Sequence, residues 1–166
     1  MLPGIVRNLF SKFGERPKEQ SEFDDARQLI MEQGLDLDFY NRERFLTQDD
    51  VSKILEKNNV NENSAFYDFF VKYFELPNGK GEDLDSIPVI LSNDYWSDEY
   101  PEIGERYLQL TSIEGEGSYF YDKETDAVYD VNWGEEEEMI SGKMQPWFTS
   151  FYDFLEWYYG DIDELD

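Results

Sequence analysis

Carboxylates are the side chains with the most chemical potential in this sequence, and two stretches set them beside aromatic rings. Asp94-Tyr95-Trp96-Ser97-Asp98-Glu99-Tyr100-Pro101-Glu102 interleaves acids with Tyr95, Trp96 and Tyr100, and Trp133-Gly134-Glu135-Glu136-Glu137-Glu138 places a run of glutamates after a tryptophan. Paired carboxylates with stacking aromatics can hydrolyse glycosides. With 39 acidic residues, however, some pair falls at a suitable separation by chance, and no local motif selects one. Asp122, Glu124, Asp126 and Asp130 could in principle hold a divalent cation through oxygen, but a polar hairpin turn explains them equally well. Asn59, Asn61 and Asn63 match the first, third and fifth positions of a calcium loop, yet Ser64 replaces its turn glycine and Phe70 its bidentate glutamate. A helix cap is the better reading of that stretch. Gly79 and Gly81 belong to no full phosphate-binding motif and read as turn glycines. The chain has no His and no Cys, which excludes Ser-His-Asp and Cys-His catalysis, His- or Cys-ligated zinc and an imidazole switch. The expectation is a protein with no catalytic residues, no metal and no cofactor.

Charge narrows the class of partner. The net charge is −25, and it is unevenly placed. Residues 1–20 carry four Lys/Arg against two acids, while residues 107–166 carry two lysines against sixteen acids. Such a field repels nucleic acid and anionic membrane and accelerates encounter with a basic protein. No direct nucleic-acid partner and no membrane partner are expected. Aromatics at 17% distinguish the chain from a disordered acidic segment, because they supply the burial that offsets chain entropy. Its 166 residues suit one domain. Residues 1–60 are expected to be helical, 61–160 to form the core, and 161–166 to be an acidic tail. Met1 to Gly14 reads as a short packed helix without the uninterrupted apolar run of a signal peptide. No stretch approaches a membrane span, so a soluble, cytoplasmic protein is expected.

The elements that must position the acidic stretches are visible in the pattern. Ser21-Glu22-Phe23-Asp24 starts a helix that Gly34 stops, and residues 35–45 form a connector. Thr47-Gln48-Asp49-Asp50 is a capping box, with Leu46 placed to staple against Val51. The next helix runs from Ala65 to Phe74 and shows apolar residues over a wide arc, as a helix buried on most sides does. Ile87-Pro88-Val89-Ile90-Leu91 is apolar and β-branched and reads as a strand whose proline places it at an edge or at a strand start, followed by a surface loop over 92–105. Tyr107–Leu110, Ser118–Tyr121 and Ala127–Val131 read as three strands joined by turns. After an acidic loop, Phe151, Phe154, Leu155 and Tyr158 recur at helical spacing and predict a closing amphipathic helix.

From Tyr67 onward the order of these features resembles the SUKH superfamily. The marks are a helix through Phe70 to Phe74, the Asn78-Gly79 turn, a strand at Leu108 to Leu110, a Gly-rich hairpin from Gly115 into the aromatic strand to Tyr121, the polar turn Asp122 to Asp126, Val128-Tyr129, and the closing helix from Ser150 to Leu155. They span about 100 residues, most of an average domain. In this sequence Lys80 separates Asn78-Gly79 from the family's second glycine, here Gly81. The resemblance implies the fold class α+β, a single domain with a predominantly antiparallel sheet flanked by helices, and no catalytic residues. Many bacterial members are similar to immunity proteins, which bind and neutralise a toxin domain, and others act as adaptors.

Charge and resemblance point to the same class of partner, the carboxy-terminal domain of a cognate bacterial toxin with a basic surface. The alternative is an adaptor or scaffold that binds a non-toxin partner. The expected contact residues are Asp94, Trp96, Asp98, Glu99, Tyr100, Trp133, Glu135, Glu136, Glu137 and Glu138. Rings inside a charged rim are the composition of a binding hot spot. Against this, consecutive glutamates often form a solvated loop, and a tryptophan beside strands is often core.

Overall fold

The computed structural model describes residues 13–18, 46–81, 83–91, 96, 98–111 and 115–160. The Ser21–Gly34 helix, the 35–45 connector, the tail and most of the amino-terminal segment lie outside them. In chain order the elements are β1 (Gly14–Glu15), α1 (Gln48–Lys57), α2 (Ala65–Lys72), β2 (Tyr73–Glu75), α3 (Ile87–Ile90), α4 (Glu102–Glu105), β3 (Tyr107–Gln109), β4 (Gly117–Asp122), β5 (Val128–Asn132), α5 (Glu136–Ile140) and α6 (Phe151–Tyr159). They form a mixed α+β domain with two antiparallel sheets, β1-β2 and β3-β4-β5. No helix among the described residues is long and apolar enough to cross a membrane.

The helices begin and end where local chemistry directs. Thr47 and Asp50 exchange side chain-to-backbone hydrogen bonds across the first turn of α1, and Leu46 and Val51 are buried on either side of that box. At its other end Asn59 takes φ 63, Val60 N–H reaches Leu55 O and Asn59 N–H reaches Glu56 O. This is a Schellman closure, with Val60 and Leu55 both buried over it. Ser64 then caps α2 by accepting from Tyr67 N–H. The asparagine stretch from Asn59 to Asn63 thus serves to end one helix and lead into the next.

Three expectations are corrected. The helix read to Phe74 stops at Lys72, and Tyr73–Glu75 is extended instead. The cause is distant in sequence: β1 pairs with these residues, and the buried Arg16 guanidinium donates to the carbonyls of Phe70 and Tyr73. β1 also replaces helix at Gly14. Ile87–Ile90 is a helical turn, not a strand. Proline near its start supplies a helix-compatible φ, and Ile87 and Ile90, three apart, both face the core. Gly79 does more than turn the chain, since a Cβ there would collide with the Tyr158 ring.

The meander pairs Leu108 with Tyr121 and Gln109 with Phe120, then Tyr121 with Val128 and Phe120 with Tyr129. Alternation sends Leu108, Tyr121 and Val128 to one side, where α1, α2 and α6 bring Val51, Leu55, Phe66, Phe69, Phe70, Phe151, Phe154 and Leu155. Phe66 stacks on Tyr121 at 4.3 Å between centroids. Tyr107, Phe120, Tyr129 and Val131 go to the other side, under Trp96, Ile103 and Met139. The sheet therefore separates two apolar layers. We call the helix-covered layer inner and the other outer.

β4 ends at Asp122, which is fully buried. Its carboxylate accepts two hydrogen bonds from Arg106, at 3.0 and 2.9 Å, and others from Glu124 N–H and the Thr125 hydroxyl. Burial pushes its pKa up, but these donors outweigh it and hold the carboxyl below its ordinary range. Four residues on, Asp126 adopts φ 71 and accepts from the buried Tyr121 hydroxyl at 2.7 Å, while its second oxygen receives Phe151 N–H at the start of α6. The turn thereby ties β3, β4 and α6 together.

Asp122→Asn should lower the unfolding free energy at neutral pH by on the order of 2 kcal/mol, the size of a charge-assisted hydrogen-bond loss. Arg106 is partly exposed, so water can solvate the charge left behind. Because the folded carboxyl is depressed, its stabilisation is full above the unfolded pKa of about 4 and is lost as pH falls through the folded value. Urea melts should show the gap between wild type and variant closing in acid; a gap independent of pH would contradict this role.

Candidate partner-binding surface

The two acidic stretches are brought together by the outer layer. Trp96 is 6% exposed; its indole N–H donates to Gln109 Oε1 at 2.7 Å, and the Gln109 amide donates to Thr111 O. That chain fixes Trp96 to β3. Its ring lies 5.8 Å from Trp133, 6.0 Å from Tyr100 and 6.5 Å from Phe120, centroid to centroid. Just after it, Glu99 and Tyr100 N–H both return to Trp96 O, and Asp98 and Glu99 are exposed.

Trp133 is anchored by its indole N–H to Gly115 O at 2.7 Å and by its backbone N–H to Glu116 O. The glutamates that follow divide by role. Glu135 accepts from Asn132 N–H, and the buried Glu136 accepts from Gly134 N–H at 2.7 Å, where Gly134 takes φ 101. Both carboxylates close the turn into α5. Met139 is buried in the outer layer with Ile140 beside it, so Glu137 and Glu138 occupy the solvent side of this short helix. The expected acidic loop is a helical turn, because Met139 and Ile140 give it an apolar side to bury.

Of the expected contact residues, then, Asp98, Glu99, Glu137 and Glu138 present free faces, with Tyr100 and Trp133 half-buried between them. Trp96 and Glu136 are buried and build the face from within. Asp94 lies outside the described residues. The field here is negative. The Tyr100 hydroxyl is pushed up by desolvation and by Glu99, Glu136 and Glu137, and the Asp130 carboxyl is raised by burial and by Glu135.

The face carries carboxylate acceptors, which suit cationic groups. Among the described residues no cluster of three or more acids is arranged to hold a metal ion. Asp122, Glu124 and Asp126 are engaged with Arg106, Thr125 and Tyr121. One aromatic group was not singled out by sequence. Trp147, 37% exposed, packs on Phe148 and Trp157 at 4.6 Å each and on Tyr119 at 5.4 Å. The available signal was Trp157, a large ring lying off the apolar stripe of α6.

The four glutamates should separate in stability measurements. Glu136→Ala removes a carboxylate that closes a helix start and should cost about 1 kcal/mol, whereas Glu137→Ala and Glu138→Ala should stay within about 0.5 kcal/mol of wild type. Equal effects in denaturant melts would refute the division. Comparison with models of known protein families, with curated proteins and with solved structures returns no match.

Proposed function

We propose that this chain is a non-catalytic immunity protein that acts in the cytoplasm, binding the basic carboxy-terminal domain of a cognate toxin stoichiometrically. The observation that carries the reading is the Trp96–Trp133 contact, which joins two acidic stretches, distant in sequence, into one face. Asp98, Glu99, Glu137 and Glu138 stand exposed on it, and the whole molecule adds a net charge of −25. A toxin domain that cleaves nucleic acid needs Lys and Arg for phosphate, and a carboxylate face can cover such a site while the long-range field speeds encounter. The resemblance to SUKH proteins supports the same reading, since its marks on the strands and closing helix fall on β3, β4, β5 and α6 in that order.

Co-expression with the candidate toxin should restore growth and yield a one-to-one complex. The quadruple variant Asp98→Asn, Glu99→Gln, Glu137→Gln and Glu138→Gln should slow association about tenfold at low salt and flatten its salt dependence, measured by stopped flow. An unchanged rate removes this face from the interface. Absence of protection, with a non-toxin partner recovered in stable complex, would favour an adaptor.

A further inference from the structure

A second recess lies on the inner side of the molecule, remote in the layering from Trp96 and Trp133. Beyond β2 the chain continues through Leu76, Pro77 and Asn78 without helix. Opposite it, the 83–86 segment is fixed to the end of the main sheet, with Asp85 N–H donating to Leu110 O at 2.8 Å and Leu84 bridging to Thr111. Between these two walls is a cavity of about 670 Å³, within the range of ligand sites.

Its chemistry is layered by depth. Phe70, Tyr73 and Tyr159 are buried and form the floor, Phe74, Leu76 and Leu84 are half-buried walls, and Glu75 and Asp83 are exposed at the rim, with Asp85 half-buried beside them. Carboxylates thus stand on both walls, and no Lys or Arg is among the described lining. An extended chain presents successive side chains to opposite sides. In such a groove it can set apolar groups on the aromatic floor and cations against the rim. A compact cation would satisfy the rim alone and leave the floor unused.

We propose that this groove binds an extended segment of a partner protein in which arginine or lysine alternates with apolar side chains. The inference is independent of the toxin reading, which concerns the outer face. Recognition divides into two parts: Glu75 and Asp83, on opposite walls, select positive charge, and the Phe70, Tyr73 and Tyr159 floor selects apolar bulk.

The test is fluorescence anisotropy with a short labelled peptide of alternating arginine and leucine, against a peptide of equal charge with serine in place of leucine. The first should bind about tenfold more tightly, and the double variant Glu75→Gln, Asp83→Asn should weaken it about tenfold. The protein's amide resonances should shift at 74–76, 78 and 83–86. The variant's thermal melt should match wild type, and Glu75→Gln alone, at an exposed site, should give part of the loss if the double variant fails to fold. The outer-face variant Asp98→Asn, Glu99→Gln, Glu137→Gln, Glu138→Gln should keep full affinity. Equal binding of the two peptides would reduce the effect to general attraction by a polyanion and overturn the proposal. So would undiminished binding to the groove variants, loss in the outer-face variant, or complete displacement by equimolar spermine.

Discussion

Burial of β4 on both faces is the constraint on which the rest of the structure depends. Tyr119, Phe120 and Tyr121 are consecutive rings on a strand, so they cannot share one side. Phe120 and Tyr121 are each almost wholly removed from water on opposite sides. A sheet with apolar groups on both faces needs cover on both, and the chain supplies it with helices on the inner side and with Trp96, Ile103 and Met139 on the outer. The polar groups caught in this arrangement must be satisfied locally. Tyr121 donates to Asp126, and Asp122 gathers Arg106, Glu124 N–H and Thr125. Leaving either buried group unpaired would cost on the order of 1–3 kcal/mol.

Much of this frame was legible in the sequence where the signal was local. β3, β4, β5 and α6 follow from alternation, turn residues and helical spacing, and the Thr47 box marks the start of α1 without reference to anything far away. The misread elements were set by partners elsewhere in the chain. Tyr73–Glu75 continues a helical pattern, but pairing with β1 and the reach of Arg16 across 54 and 57 positions draw it into extended form. Ile87–Ile90 is short, apolar and β-branched, and such a run fits either a strand or a helical turn until its packing is known. Residues 133–138 looked uniformly acidic, and the apolar side of α5 became visible only with Met139 and Ile140 included.

The candidate face was legible in composition but not in assembly. Sequence marked both acidic stretches and the rings within them, yet gave no means of telling that Trp96 and Trp133 meet, a contact between positions 37 apart in number. Nor could it sort the glutamates: neighbours of identical type have opposite roles because Gly134 and Asn132 offer backbone donors to Glu136 and Glu135 alone. The inner groove carried no local pattern at all. Its walls come from two segments joined by a turn, and its floor belongs to helices and strands already assigned to the core.

The sheet between the two apolar layers has a consequence for how this molecule can change. Because the side chains of each layer meet their own neighbours, substitutions on opposite sides of β4 share few contacts, and their effects on stability should be close to additive. The outer layer rests on two short helices, α4 and α5, and the turn at Trp96, while the larger aromatic cluster fixes the fold from the other side. Variation in the outer layer can therefore accumulate without repacking the scaffold, so one framework can carry many surfaces.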